Sequence, residues 1–141
     1  MTQEQIGDTL EIQRLVGKIS NLEGNSAEQK KFFTRDAQLR IYLGEEMVLE
    51  IRGLAKFEDG LKAFNSVIKR VHCMNGQHVI DFLTKDKATG LLFCRAVQVT
   101  EEDGREVVTD HCVYFEDIYE KKNSNWLIKA RDAHYIISTK R

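Results

Sequence analysis

The sequence predicts an α+β fold in which three N-terminal helical segments pack on a curved, mostly antiparallel sheet. Three observations predict it. Apolar residues recur at helical spacing in the first half of the chain. The second half is nearly all long strand-like segments separated by short turn clusters. Several of those segments, such as Leu91-Leu92-Phe93-Cys94, are apolar on both faces, so the sheet is expected to be covered on both sides.

The elements follow in order. From Asp8 to Leu22, apolar Ile12, Leu15, Val16 and Ile19 fall at i, i+3, i+4 and i+7, one stripe of an amphipathic helix. Asp8-Thr9 is expected to cap its start and Gly24-Asn25 to end it. Ser26 to Phe33 reads as a second short helix with Ser26 as its cap. "DAQLRIYLG" alternates, with Leu39, Ile41 and Leu43 on one face, and "MVLEIRG" reads as its hairpin partner. Helical period returns from Leu54 to Arg70, where Phe57, Leu61, Phe64 and Ile68 are spaced by three or four. Four strands then run over His78 to Leu83, Ala88 to Glu101, Arg105 to Glu120 and Trp126 to Ser138.

Composition limits the function classes. One domain spanning residues 1–141, with its core at about 8–138, is long enough to bury a real interior. With 21 basic and 22 acidic residues the net charge is −1, which gives no electrostatic case for nucleic acid. No apolar run reaches the roughly 20 residues of a membrane helix, so no membrane partner is expected. The polar start MTQEQIGDTLEIQ has no apolar core of a signal peptide. Cys73, Cys94 and Cys112 are odd in number and lack C-x-x-C spacing, which fits a reducing, cytoplasmic setting. No metal or nucleotide motif occurs, so neither a metal nor a cofactor is expected.

"VHCMNGQHVI" holds the main candidates. His72 either lies at the C-terminal dipole of the preceding helix, or faces His78 across a hairpin turn at Asn75-Gly76, or lines a pocket. A zinc pair is not expected, because six residues of straight strand separate the two histidines by roughly 20 Å. His78 shares strand parity with Ile80 and Phe82, and His111 shares a face with Val113 and Phe115, which makes both candidate pocket residues.

The order of "FFTRDAQLRI", "IRGLAKFEDGLKAF", "HCMNG", "DKATG" and "NWLIKARDAHYI" resembles the SnoaL-like branch of the nuclear transport factor 2-like superfamily. The resemblance covers roughly residues 8–138. It implies a cone made by a curled sheet and three helices around an apolar pocket, often as a homodimer. It also implies proton abstraction by a histidine held by an acid at the end of the first helix. Those positions fall on His72 and Glu23, with Met74 and Phe93 expected beside His72 in the pocket. The chain departs from the branch in having "NLEGN" where an Asp-x-Gly-Asp-like segment is usual. Two functions follow as expectations: a lyase or isomerase acting on a small apolar or carbonyl-containing molecule, or a non-catalytic ligand-binding or dimeric interaction domain. Whether Glu23 reaches His72 separates them.

Overall fold

The computed structural model describes residues 1–141. Thr2 opens α1 (Gln3–Asn21) with a capping box: its hydroxyl accepts from the Gln5 amide at 3.1 Å, while Gln5 Oε1 accepts from the Thr2 amide at 3.0 Å. The helix thus begins before Asp8-Thr9, the pair expected to cap it. Asp8 is instead buried, accepting from Trp126 Nε1 at 3.0 Å and pairing with Lys121 at 2.9 Å. The stripe Ile12, Leu15, Val16 and Ile19 is buried as expected. Asn25, not Ser26, caps α2 (Ser26–Gln29), accepting from the Glu28 amide at 3.2 Å.

A 3₁₀ turn leads into β1 (Phe33–Leu43), which turns back as β2 (Glu46–Arg52). A second 3₁₀ turn, Leu54–Lys56, precedes α3 (Phe57–Asn65). Then come β3 (Ile68–Thr84), β4 (Lys87–Glu102), β5 (Arg105–Lys122) and β6 (Asn125–Lys140). No helix is long and apolar enough to cross a membrane.

The third helix is shorter than its period suggests, and β3 starts ten residues before His78. The expected helix ran to Arg70, but Ile68 already pairs with Thr100 and Arg70 with Val99. The β-branched cluster Val67, Ile68 and Val71 favours extended backbone, and the long β4 offers it a full ladder of hydrogen bonds.

The six strands form one open sheet in the order β2-β1-β6-β5-β4-β3. Every neighbouring pair is antiparallel except β1–β6, which is parallel. The helices lie on the inner face, with α1 against β3 and β6 and α3 against β2. Phe33, Leu39, Ile41, Leu92, Val113, Tyr119, Ile128 and Ala133 meet the α1 stripe in one continuous apolar core. The α+β expectation holds.

Two irregularities decide which side chains face that core. Asn75 pairs with Cys94 and His78 with Leu92, so three residues of advance in β3 oppose two in β4. The extra residue at Gly76-Gln77 is a β-bulge, and it reverses side-chain parity: Cys73 and Asn75 point inward before it, His78, Ile80 and Phe82 after it. The second lies in β6. Ile118 pairs with Ala130 and Tyr119 with Ile128, so Lys129 is extra, and inward positions step from Ile128 to Arg131.

Candidate functional site

A cavity of about 70 Å³ lies between α1 and the sheet. Ile19, Phe33, Leu39, Ile41, Leu61 and Val113 supply much of its apolar wall, and Glu23, Gln29, Cys73, Cys94, Arg131 and Tyr135 its polar groups. α1 is fastened above it by Asn75, whose Oδ1 accepts from Ser20 Oγ at 2.9 Å and whose Nδ2 donates to the Val16 carbonyl at 3.5 Å.

Glu23 follows the end of α1, just before Gly24, whose φ of +88° is a left-handed conformation that favours glycine. The turn sends the carboxyl into the cavity wall. There Glu23 Oε2 accepts from Gln29 Nε2 at 3.3 Å, and the same amide donates to the Ile19 carbonyl at 3.0 Å. Burial pushes the Glu23 carboxyl above its ordinary value of 4.5, against the opposing pull of the Arg131 charge and the Gln29 hydrogen bond.

Arg131 is the other charged group of the cavity. Its Nε donates to Asp117 Oδ1 at 2.8 Å and its Nη2 to Asp117 Oδ2 at 2.9 Å, a two-pronged pair with both residues almost fully buried. The guanidinium also lies 4.1 Å from the centre of the Phe115 ring. Nη1 makes no hydrogen bond within the protein.

Behind the pair, the Tyr119 hydroxyl donates to Asp117 Oδ2 at 2.8 Å. With that hydrogen committed, His78 Nε2, 2.9 Å from the same oxygen, is the donor to it, which places the neutral His78 hydrogen on Nε2. Tyr119 fits because position 90 is glycine: a Cβ there would come within 2.5 Å of the Tyr119 hydroxyl. The groups Arg131, Asp117, Tyr119 and His78 form one connected chain of hydrogen bonds, with Arg131 Nη1 left outside it.

The expected site residues separate. Glu23 lines the cavity. His72 does not: it is exposed on the outer face of β3, because the bulge at Gly76-Gln77 puts it on the opposite side from His78. Met74 and Phe93 are also outer-face residues, 61% and 40% exposed, and they line no part of the cavity. His78 faces inward but is held by Tyr119 rather than lining the cavity. His111 is on the inner face too, one row beyond the cavity, 2.7 Å from Ser138 Oγ and edge-on to Tyr135. The His72–Glu23 pair is not formed. Asp117 and Gln29 carry no expectation from the sequence; Arg131, a residue type suited to holding an anion, is committed to Asp117, and Tyr119 packs in the core. Asp117 and Tyr119 share inward parity with Val113 and Phe115, a signal available from alternation.

The sequence profile of the SnoaL-like domain family matches residues 4–132. The chain belongs to that family. Solved structures with this fold include a scytalone dehydratase-like protein from Novosphingobium aromaticivorans, 16% identical, with a TM-score of 0.83 over 99% of this chain and 91% of that one. A hexachlorocyclohexane dehydrochlorinase, LinA type 2, is 12% identical with a TM-score of 0.78 over 98% of this chain and 91% of its own. A cystatin-like fold protein of unknown function from Nostoc punctiforme is 18% identical, at 0.72 over 92% and 91%. No curated protein sequence gives a significant match. At these identities the structural likeness establishes the fold; the chemistry rests on the site.

Proposed function

We propose that this SnoaL-like domain is a small-molecule lyase or isomerase in which Glu23, rather than a histidine, moves the proton. The observation that carries the reading is the Glu23 carboxyl, which lines a largely apolar cavity and is raised above its ordinary value by desolvation. An upward shift makes a carboxyl a stronger base and a better-populated acid than an exposed one, the direction that proton-transfer work requires. The dehydratase-like and dehydrochlorinase neighbours, whose names denote elimination chemistry, support the class.

The charges of the site select the ligand. The Arg131 cation is already offset by Asp117, so with Glu23 protonated the cavity is neutral and with Glu23 ionised it is negative. Neutral molecules with a carbonyl, hydroxyl or halogen next to an acidic C–H suit it better than carboxylates or phosphates. Arg131, on the same cavity wall, supplies a positive charge that stabilises an oxygen gaining charge as the proton leaves.

A second reading, a cavity that binds such molecules without turning them over, draws on the outward position of His72, which removes the histidine–carboxylate pair. One experiment separates them. Candidate compounds are incubated with the protein in D₂O and C–H exchange is followed by NMR, with thermal shift as the binding readout. We expect the native protein to accelerate exchange, Glu23→Gln to bind without exchange, and His72→Ala to behave as native. Exchange that survives in Glu23→Gln sinks the catalytic reading, and binding without exchange in the native protein favours the second.

A further inference from the structure

The cavity wall carries two thiols that the proton-transfer reading does not use. Cys73 on β3 pairs with Ala96, and Cys94 on β4 pairs with Asn75. The two cysteines are therefore diagonal neighbours on adjacent antiparallel strands, both on the inner face and both lining the same cavity. Cys112, the third, sits on β5 opposite Arg95 on the outer face. The neighbouring Cys94 thiol holds the proton on Cys73, above its ordinary range, and the Cys73 thiol in turn lowers Cys94 against the effect of burial, with Arg131 helping. One sulfur is thus prepared to lose its proton and the other to stand beside it.

We propose that Cys73 and Cys94 form a redox-modifiable dithiol on the cavity wall, closed to a disulfide between β3 and β4 when hydrogen peroxide enters. A cavity of about 70 Å³ admits a molecule of that size. The Cys94 thiolate attacks one peroxide oxygen, the O–O bond breaks, and the leaving hydroxide takes a proton to become water. Cys94 is then a sulfenic acid. The Cys73 sulfur attacks it, the S–O bond breaks, and a second water leaves. Two thiols have lost two electrons and two protons, and the peroxide has been reduced to two waters.

The geometry also fixes the character of the bond. Diagonal strand neighbours have Cα atoms about 7–8 Å apart, whereas disulfides span up to about 6.8 Å. Closure needs the strands to shift by about 1 Å, and the bulge at Gly76-Gln77, next to the Asn75–Cys94 pair, is where the ladder is already broken. A bond made under that strain is easily reduced, the property of regulatory rather than structural disulfides.

The test treats the folded protein with hydrogen peroxide, alkylates the remaining thiols after unfolding, and maps the peptides by mass spectrometry. The native protein should lose two of its three thiols, recover them with a dithiol reductant, and yield a Cys73–Cys94 linked peptide. Cys112→Ser should behave identically. Cys73→Ser should leave a sulfenic acid at Cys94 that dimedone traps, and Cys94→Ser should give neither product. Cys73→Ala and Cys94→Ala repeat the test if the serine variants fail to fold. Oxidation confined to Cys112, with Cys73 and Cys94 both alkylated, overturns the proposal, as does Cys73→Ser or Cys73→Ala without a trappable Cys94.

Discussion

Replacing Asp117 by alanine tests the buried network most directly. Asp117 receives Arg131 at 2.8 and 2.9 Å and Tyr119 at 2.8 Å, and is itself almost wholly buried. Its removal leaves a guanidinium that has lost its hydrogen-bonded counter-charge, with only the more distant Glu23 carboxyl, itself disfavoured as an anion by burial, on the same cavity wall. Breaking a buried pair from one side costs about 3–5 kcal/mol, because the remaining charge keeps its desolvation penalty. At about 2–4 °C per kcal/mol for a chain near this size, the midpoint should fall by roughly 6–20 °C. Replacing both partners with apolar residues, Asp117→Leu with Arg131→Met, removes the charges together and should recover most of that loss. Urea unfolding of the native, single and double variants, with the slope m held in view, provides the measurement. An Asp117→Ala loss under about 1 kcal/mol, or a double variant no more stable than the single, refutes the view that an uncompensated charge governs this site.

Two further outcomes follow. Glu23 has its carboxyl raised above 4.5 in the fold, so its contribution to stability is fully present below about pH 4.5 and is lost as pH rises through the folded value. Glu23→Gln, which mimics the protonated acid, should match the native protein in acid and become relatively more stable as pH rises, and a stability difference that does not change with pH counts against the assignment. On the outer face, Met74, Val79, Leu91, Phe93 and Ile118 are exposed apolar side chains clustered on β3, β4 and β5, and we expect a second copy of the chain to cover them. Sedimentation should show a native dimer and a Leu91→Asp monomer; a native monomer at micromolar concentration rejects the interface.

The fold was legible because hydrophobic period survives in each long element: the α1 stripe and the inner rows of β1, β4 and β5 fall where alternation puts them. The site was half legible. Glu23 is reached through the family resemblance, which implies an acid at the end of the first helix, and strict alternation along β5 is enough to turn Asp117 inward. Arg131 and His72 could not be placed by counting, since each lies beyond or before a bulge. Unbroken parity along β6 from Trp126 and Ile128 would point Arg131 outward, and unbroken parity along β3 would put His72 on the same side as His78. Gly76 was a visible marker for the first bulge; Lys129-Ala130 carries no comparable mark. A single inserted residue exchanges the faces of everything after it, so a charge that unbroken parity would turn to solvent becomes part of the cavity wall.

The strand order has a consequence for synthesis. β6 is the last strand of the chain, yet it sits between β1 and β5, and Ile41 waits for Ala133 as its neighbour. Until β6 emerges, the β1–β2 hairpin has no other strand to join, and the edge of β1 stays unpaired. At about 5–20 residues per second, the roughly 90 residues between them take some 5–20 s to translate. During that interval Leu39 and Ile41, core residues in the finished fold, lack half of their sheet. Nascent chains of this protein therefore present a sticky edge for seconds, and a chain interrupted before Asn125 never closes it.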